Sequence, residues 1–369
     1  MIRLEEDRST IVPTTNIKVI GVGGAGGNTI NSMVDMFHDI EFIAANTDAQ
    51  ALNGSKAAVR MQLGIKSTKG LGTGANPELG KRAAEEDIEH IVDLVKDADI
   101  VFLTGGLGGG TGSGALPVIA QTLQEHNILT ITLVSLPFVF EGKRRAKIAH
   151  EALEQLKKYT DTLLVIPNQK LLDIVDAKPT LIEAFNTVNA TIAESVRSIS
   201  DIITRPGQIN VDFADIKSIM KRMGLGVMGT GRASGVDRAT VATMAAISSP
   251  LLENMSIDGA QSLLLSISGS DQLGLDEVSA AASIIYQKAH EDANIILGSV
   301  IDNTLGDEII ITVIATGFTP VESPRLATKP ALKEKKCEQV VEERQTYQFD
   351  DIDIPAALRR SGGIGVRKE

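Results

Sequence analysis

From Asn16 to about Ile131 the chain alternates between short apolar runs and longer amphipathic stretches. The runs IKVIGVG, EFIAANTD, DIVFLTGG and ILTITLVSLPF are separated by segments long enough to be crossover helices, which is the pattern of a parallel α/β sheet. Residues 181–204 place Leu181, Phe185, Val188, Ile192, Val196, Ile199 and Ile203 at steps of three and four, closed by Arg205-Pro206-Gly207. That spacing predicts one long helix with an apolar stripe and a firm stop. After Met223 the texture changes. QSLLLSIS, IILGSVID and EIIITVIATG read as strands, and 235–249 and 275–292 as helices, so a second, smaller α+β domain is expected to end near Phe318. Residues 319–348 are rich in Pro, Lys, Glu and Gln with little apolar periodicity and are expected to form a disordered linker.

Length and charge narrow the function classes. With 369 residues, 43% of them apolar, the chain can fill a core in each of two domains. A net charge of −11 repels phosphate backbones and anionic lipid, which argues against general nucleic-acid binding. The single cysteine, Cys337, has no disulfide partner and fits a reducing, cytoplasmic compartment. The start MIRLEEDRST is charged where a signal peptide needs an apolar run, and no stretch approaches the roughly 18 apolar residues of a membrane span. No direct membrane insertion is expected; membrane contact would go through a partner.

The candidate chemistry lies in glycine loops. IKVI runs into Gly21-Val22-Gly23-Gly24-Ala25-Gly26-Gly27-Asn28 and then a helical pattern, a turn that presents bare N–H groups at the positive end of a helix. The run satisfies G-x-G-x-x-G and Asp48 follows about 20 residues on, so this segment alone reads as an NAD-dependent oxidoreductase fingerprint. A second loop, GGLGGGTGSG at 105–114, also joins a strand to a helix. A third, GLGTGANPE at 70–78, has Asn76 able to cap a helix and Pro77 at its first turn. Three phosphate-type loops suit a triphosphate, and the chain contains no Walker pattern.

Together these motifs resemble the FtsZ family of tubulin-like bacterial cell-division GTPases. GGGTGSG at 108–114 is similar to the tubulin signature loop, and its companions are NTDAQAL at 46–52, TKGLGTGANPELG at 68–80, PFVFEGKRR at 137–145, ITRPGQINVDFAD at 203–215 and AISSPLLE at 246–253. The resemblance covers essentially residues 16–318 and returns at the tail. It implies a tubulin-like fold: a Rossmann-type parallel-sheet GTP-binding domain joined by a long central helix to a smaller α+β domain, with a disordered tail. The implied division is a flexible arm at 1–15, a GTP-binding domain at 16–204 that includes the central helix 181–204, a catalytic loop and helix at 205–222, and the α+β domain at 223–318. The linker 319–348, a partner-binding peptide at 349–361 and a variable tail at 362–369 follow.

The resemblance implies GTP/GDP and Mg2+ as ligands, with no metal-ligating side chains identified. It places Gly24, Ala25, Gly26, Gly27 and Asn28 with Gly110, Thr111 and Gly112 on the phosphates, and Ala75 and Asn76 in the loop that senses the γ-phosphate. Asn46 and Asp48 fall beside the phosphates and ribose, Glu141 and Arg145 at the ribose, and Phe185 and Asn189 at the guanine. By residue pattern alone Phe185 would pass as core, and Glu141 and Arg145 as an i, i+4 surface pair. Asp212 and Asp215 resemble the carboxylates that polarise the attacking water, with Asn210 a neighbouring contact; by pattern alone Asp212 is a helix cap and Asp215 a first-turn charge.

A helix of about 24 residues spans roughly 36 Å at ~1.5 Å each, so one nucleotide cannot touch both its ends. If both assignments hold, hydrolysis is completed by the next copy in a head-to-tail filament, itself the main partner, at the cytoplasmic mid-cell division ring on the inner face of the plasma membrane. FDDIDIPAALRR resembles the family's C-terminal peptide, which docks on membrane tethers such as the actin-like adaptor FtsA. Ala357 stands where the family commonly has an aromatic, a loss of about 2 kcal/mol of apolar burial, and Ser135-Leu136 replaces the usual threonine and lysine before Pro137. Two alternatives stay open: an NAD-dependent oxidoreductase built on GVGGAG, which leaves the second glycine loop and NVDFAD without a role, and a GTP-binding tubulin relative that scaffolds without turnover, disfavoured by the presence of both Asp212 and Asp215.

Overall fold

A computed structural model of the chain describes residues 15–37, 39–172, 179–205, 207–252 and 257–318. The expected arm (apart from Thr15), the linker, the partner peptide and the tail lie outside them. Ten strands form one sheet: β1 (Ile17–Val22), β2 (Glu41–Asn46), β3 (Val59–Gln62), β4 (Ile100–Gly106), β5 (Leu129–Leu136), β6 (Thr162–Pro167), β7 (Gly224–Ser234), β8 (Ser262–Gly269), β9 (Asn294–Ile301) and β10 (Glu308–Thr316), in the order 3-2-1-4-5-6-7-10-8-9. The helices are α1 (Gly23–Met33), α2 (Ala49–Asn53), α3 (Ile65–Thr68), α4 (Pro77–Glu86), α5 (Ile88–Val95), α6 (Thr111–Glu125), α7 (Lys143–Tyr159), α8 (Asn168–Leu172), α9 (Leu181–Thr204), α10 (Phe213–Met220), α11 (Arg238–Ile247) and α12 (Leu275–Lys288).

Strands β1 to β6 pair in parallel, and apart from the edge strand β3 they are buried on both faces, as a sheet covered on both sides requires. Successive residues divide between two cores. Val19, Phe42 and Phe102 face α9, while Ile20, Ile43, Val101 and Leu103 face α4, α6 and α7. The α9 stripe of Val188, Ile192, Val196 and Ile199 is buried. The same core takes in Leu264, Val300 and Ile314 from β8, β9 and β10, so one helix packs on both halves of the sheet.

Strand β7 connects those halves. Its first residues pair in parallel with β6 (Thr162 opposite Gly224), and the rest pairs antiparallel with β10, from Val227 opposite Ala315 to Ser234 opposite Glu308. The sequence pattern does not reveal it, because GLGVMGTGRAS breaks apolar alternation with glycine. Those glycines are there for packing: a Cβ at Gly229 or Gly231 would lie 2.0 or 1.9 Å from the carbonyl oxygens of Ala246 and Ala242, so α11 rests directly on the bare strand. Strands β3 and β6 likewise went unread. Helix α11 is shorter than the predicted 235–249 because Gly235 and Asp237 take left-handed turns before it, with φ of 81° and 58°.

A third core, under α11 and α12, is closed at one end by Arg238. Its guanidinium grips Glu277 in the first turn of α12 at 2.6 and 2.9 Å and reaches the Asp307 carbonyl and carboxylate at 2.8 and 3.1 Å. The hydrogen bonds from Arg238 hold the Glu277 carboxyl below its ordinary value of 4.5, against the upward push of burial. A carboxylate with a depressed folded pKa contributes stability that is full above the ordinary value and is lost as pH falls through the folded one. Glu277→Gln should therefore be less stable than the parent at neutral pH and decline less steeply below pH 4.5; urea titrations across that range would show parallel acid limbs if the pair contributed nothing.

Candidate functional site

Strands β1, β4, β5 and β6 lie side by side, and their carboxyl ends open into one cleft of about 340 Å3. The order 3-2-1-4-5-6 reverses direction between β1 and β4, and such a switch point is where open α/β sheets leave a crevice for ligands. Each flanking strand leads into a helix, β1 directly into α1 and β4 through the short loop Leu107-Gly108-Gly109-Gly110 into α6.

Neither helix carries a side-chain cap or a first-turn acid. This contrasts with α4, α9 and α10, whose starts are capped by Asn76, Thr180 and Asp212. The first N–H groups of a helix have no intrahelical partner, so α1 and α6 direct unsatisfied donors and positive dipole ends into the same cleft. The two turns touch: a Cβ at Gly23 would lie 3.2 Å from the Gly112 nitrogen. The Ser113 hydroxyl accepts from the Gly108 N–H at 2.8 Å, and the Ser135 carbonyl accepts from Leu107 at 2.9 Å, which fixes the loop shape. The Thr111 hydroxyl lies 2.7 Å from that of Thr47 and 3.4 Å from that of Thr73, tying α6 to the neighbouring loops.

The glycines divide by cause. A Cβ at Gly110 would meet the Thr73 hydroxyl at 2.2 Å, at Gly112 the Gly106 carbonyl at 2.4 Å, at Gly114 the Pro77 carbonyl at 2.1 Å, and at Gly26 backbone of Gly21 at 2.7 Å. These are bare because neighbours pack directly on the backbone: backbone at Gly26, Gly112 and Gly114, and both the Thr73 hydroxyl and the Asn76 backbone at Gly110. Gly24, Gly27 and Gly109 have nothing within 4 Å of a built Cβ. Packing does not explain them; their bare backbone leaves room for close approach from the solvent side.

At the far side of the cleft, Phe185 is 40% exposed rather than core, with its ring edge-on to Phe138 at 5.3 Å. Asn189, one turn along α9, lines the cleft with its side-chain oxygen 3.0 Å from the Thr29 hydroxyl. Glu141 and Arg145 are ion-paired as the i, i+4 spacing suggests, yet both also line the cleft; the second Glu141 oxygen accepts from the Phe138 N–H at 2.9 Å. Sequence reasoning missed Asn168. It stands at the end of β6, is 4% exposed, lines the cleft, and its carboxamide oxygen has no hydrogen-bond partner. The signal was VIPN, an asparagine directly after a strand whose neighbours all end at the site.

Other predicted residues lie around this cleft or away from it. Gly24, Ala25, Asn28, Gly110, Thr111 and Gly112 line it. Gly24, Gly27, Asn28 and Asn46 border an adjoining cavity of about 250 Å3 between α1 and α2. Asn46 accepts from the Asp48 N–H at 3.2 Å, and Asp48 caps α2 through Gln50 and Ala51. Ala75 takes a left-handed turn with φ of 59° and Asn76 caps α4 through Glu78, so neither lines the cleft. Asn210, Asp212 and Asp215 lie beyond the opposite end of α9 and are exposed. Asp212 caps α10 by accepting from the Asp215 N–H at 2.8 Å, and Asn210 accepts from Gly207 at 2.8 Å.

Among the described residues no group of three His, Cys, Asp or Glu side chains is placed to hold a metal ion, and the one carboxylate in the cleft, Glu141, is engaged by Arg145. The residues present do not make a protein cage for magnesium.

Comparison with known proteins matches the same two regions. The Tubulin/FtsZ family GTPase domain model covers residues 16–176 and the FtsZ family C-terminal domain model residues 224–319. The chain is 46% identical over 354 residues to the cell division protein FtsZ of Pseudomonas aeruginosa, covering 95% of this chain and 90% of that one. It superimposes on an empty FtsZ dimer from M. jannaschii with a TM-score of 0.79 at 42% identity, covering 82% of this chain and 88% of that one. The fold extends to CetZ2 of Haloferax volcanii, at a TM-score of 0.71 and 22% identity over 83% of this chain and 94% of that one. The two matched domains, the length of the identity and the cleft between β1 and β4 together show that the chain belongs to the FtsZ family of tubulin-like cell-division GTPases.

Proposed function

We propose that the chain binds GTP in the β1–β4 cleft, polymerises head to tail into the filaments of a division ring, and hydrolyses GTP only where a neighbouring copy completes the site. The convergence of two uncapped helix starts, flanked by an aromatic and two carboxamides, carries this reading. The N–H groups of α1 and α6 hold the phosphates, with Gly24, Gly27 and Gly109 allowing contact at backbone distance. Gly26 and Gly112 serve mainly to pack turn on turn. Phe185 offers a face to the base. The unpartnered Asn168 oxygen accepts from the guanine ring N–H and 2-amino group, while the Asn189 amide is free to donate to its carbonyl. Magnesium would arrive bound to the nucleotide phosphates rather than in a protein cage, where it would neutralise their charge.

Asp212 and Asp215 cannot serve this nucleotide, because the 24 residues of α9 separate them from it by roughly 36 Å. In a stack of copies they face the next subunit's γ-phosphate, where their exposed carboxylates orient and accept hydrogen bonds from the attacking water. Asn210 braces that loop. The division of labour follows the chain: 16–204 binds nucleotide, 205–222 acts on the neighbour's, and 223–318 supports the loop. Residues 349–361 dock on an adaptor of the FtsA type, which brings filaments to the inner face of the plasma membrane.

Asp215→Ala should retain GTP binding and sedimentable polymer while turnover falls by roughly 100-fold or more; normal phosphate release by that variant would remove Asp215 from the reaction. Asn168→Ala should weaken GTP by about 1–3 kcal/mol and narrow the preference for GTP over inosine triphosphate, which lacks the 2-amino group. An unchanged preference in competition binding would show that Asn168 does not read the base. Gly109→Ala should leave the nucleotide-free melting temperature unchanged and weaken GTP, whereas Gly110→Ala should lower both; calorimetry with and without nucleotide separates them.

A further inference from the structure

The acidic loop does not hang free from α9. At Ile209 it joins the edge of the sheet: the Ile209 N–H donates to the Ser299 hydroxyl at 2.9 Å, and the Ser299 N–H donates to the Ile209 carbonyl at 3.0 Å. Ser299 lies on β9, the terminal strand of the sheet, and is buried at 3% exposure. Ile209 thus acts as a one-residue addition to that edge, and a single serine grips both polar groups of its backbone. The fit is close on both sides. A Cβ at Gly207 would stand 1.7 Å from the Ser299 carbonyl oxygen, and one at Gly298 would stand 2.3 Å from Ile202 and 2.8 Å from Val211. Just before the loop, Arg205 binds Asp201 at 3.2 Å and Asp302 at 3.5 Å, and Arg197 binds the same pair at 3.2 and 2.8 Å. Asp302 follows the end of β9, so the entry to the loop and its middle are both fastened to that strand.

We infer that Ser299 is a positioning residue for GTP hydrolysis, setting from β9 where Asp212 and Asp215 stand relative to the neighbouring nucleotide. This rests on the proposed role of those two aspartates. The hydroxyl supplies the acceptor for Ile209, three residues before Asp212, and the intervening Asn210 closes its turn by accepting from Gly207. Losing the acceptor releases one side of a two-point clamp while the Ser299 N–H bond remains. Displacements on the order of 1 Å at a reacting group can cost up to about 100-fold. The nucleotide cleft shares no residue with this clamp.

The test uses the full chain. Ser299→Ala should bind GTP with parental affinity and sediment normally with a slowly hydrolysed GTP analogue, while turnover per assembled subunit falls roughly tenfold with KM unchanged. Ser299→Thr, which restores the hydroxyl, should recover it, and Gly207→Ala, which pushes on the clamp from the loop side, should reproduce the loss. Parental turnover in Ser299→Ala overturns the inference. A loss that comes with weakened GTP binding, or that Ser299→Thr does not rescue, also overturns it and marks Ser299 as structural. Asp215→Ala in the same assay separates the two levels. If it is inactive while Ser299→Ala is normal, the positioning role alone fails; if it turns over normally, the reading of the acidic loop fails and the role of Ser299 with it.

Discussion

The close approach of two strand-to-helix turns at the β1–β4 boundary governs this molecule. Gly23 and Gly112 come close there, a Cβ on Gly23 standing 3.2 Å from the Gly112 nitrogen, and each lies at the start of a helix that lacks its own cap. Two positive helix ends held that near each other repel unless an anion lies between them. The apposition is made possible by backbone-on-backbone packing behind it, at Gly21 against Gly26 and at Gly106 against Gly112. Loss of that packing would separate the donors before it changed any residue that touches a ligand.

Helix α9 extends the reach of that site. Its buried stripe belongs to a core shared by the parallel sheet and by β8, β9 and β10. Phe185 and Asn189 lie near its start, and the acidic loop follows its end. The second half of the sheet therefore does more than add mass: β9 receives the loop, and β7 carries the hydrogen bonding of the sheet from one half to the other.

Much of this was legible in sequence because the signals were local and physically forced. The 24-residue helix shows in its stripe, with the same limits in structure. Strand-to-helix glycine turns announce a phosphate-type site wherever they occur, and GVGGAG alone read equally well as a dinucleotide fingerprint; only the companion motifs distant in sequence separated the two, in agreement with the family matches. What escaped depended on tertiary context. Strand β7 was hidden because its glycines answer to α11, which lies on them. Asn168 was hidden because its strand, β6, was not recognised. Phe185 follows the buried stripe in period but falls where the helix emerges from its core into the cleft, so periodicity misassigned it. The GGLGGGTGSG run was read as bareness for phosphate, yet within it a neighbour blocks Gly110, Gly112 and Gly114, and Gly109 stands open.

Because α9 is a helix, it fixes an angle as well as a length. Each residue advances about 1.5 Å and turns about 100°. One residue removed between Phe185 and Thr204 would leave the spacing nearly intact yet swing the acidic loop about a quarter turn around the axis relative to the cleft. The helix is in this sense a gauge of azimuth as well as of distance between the cleft and the acidic loop.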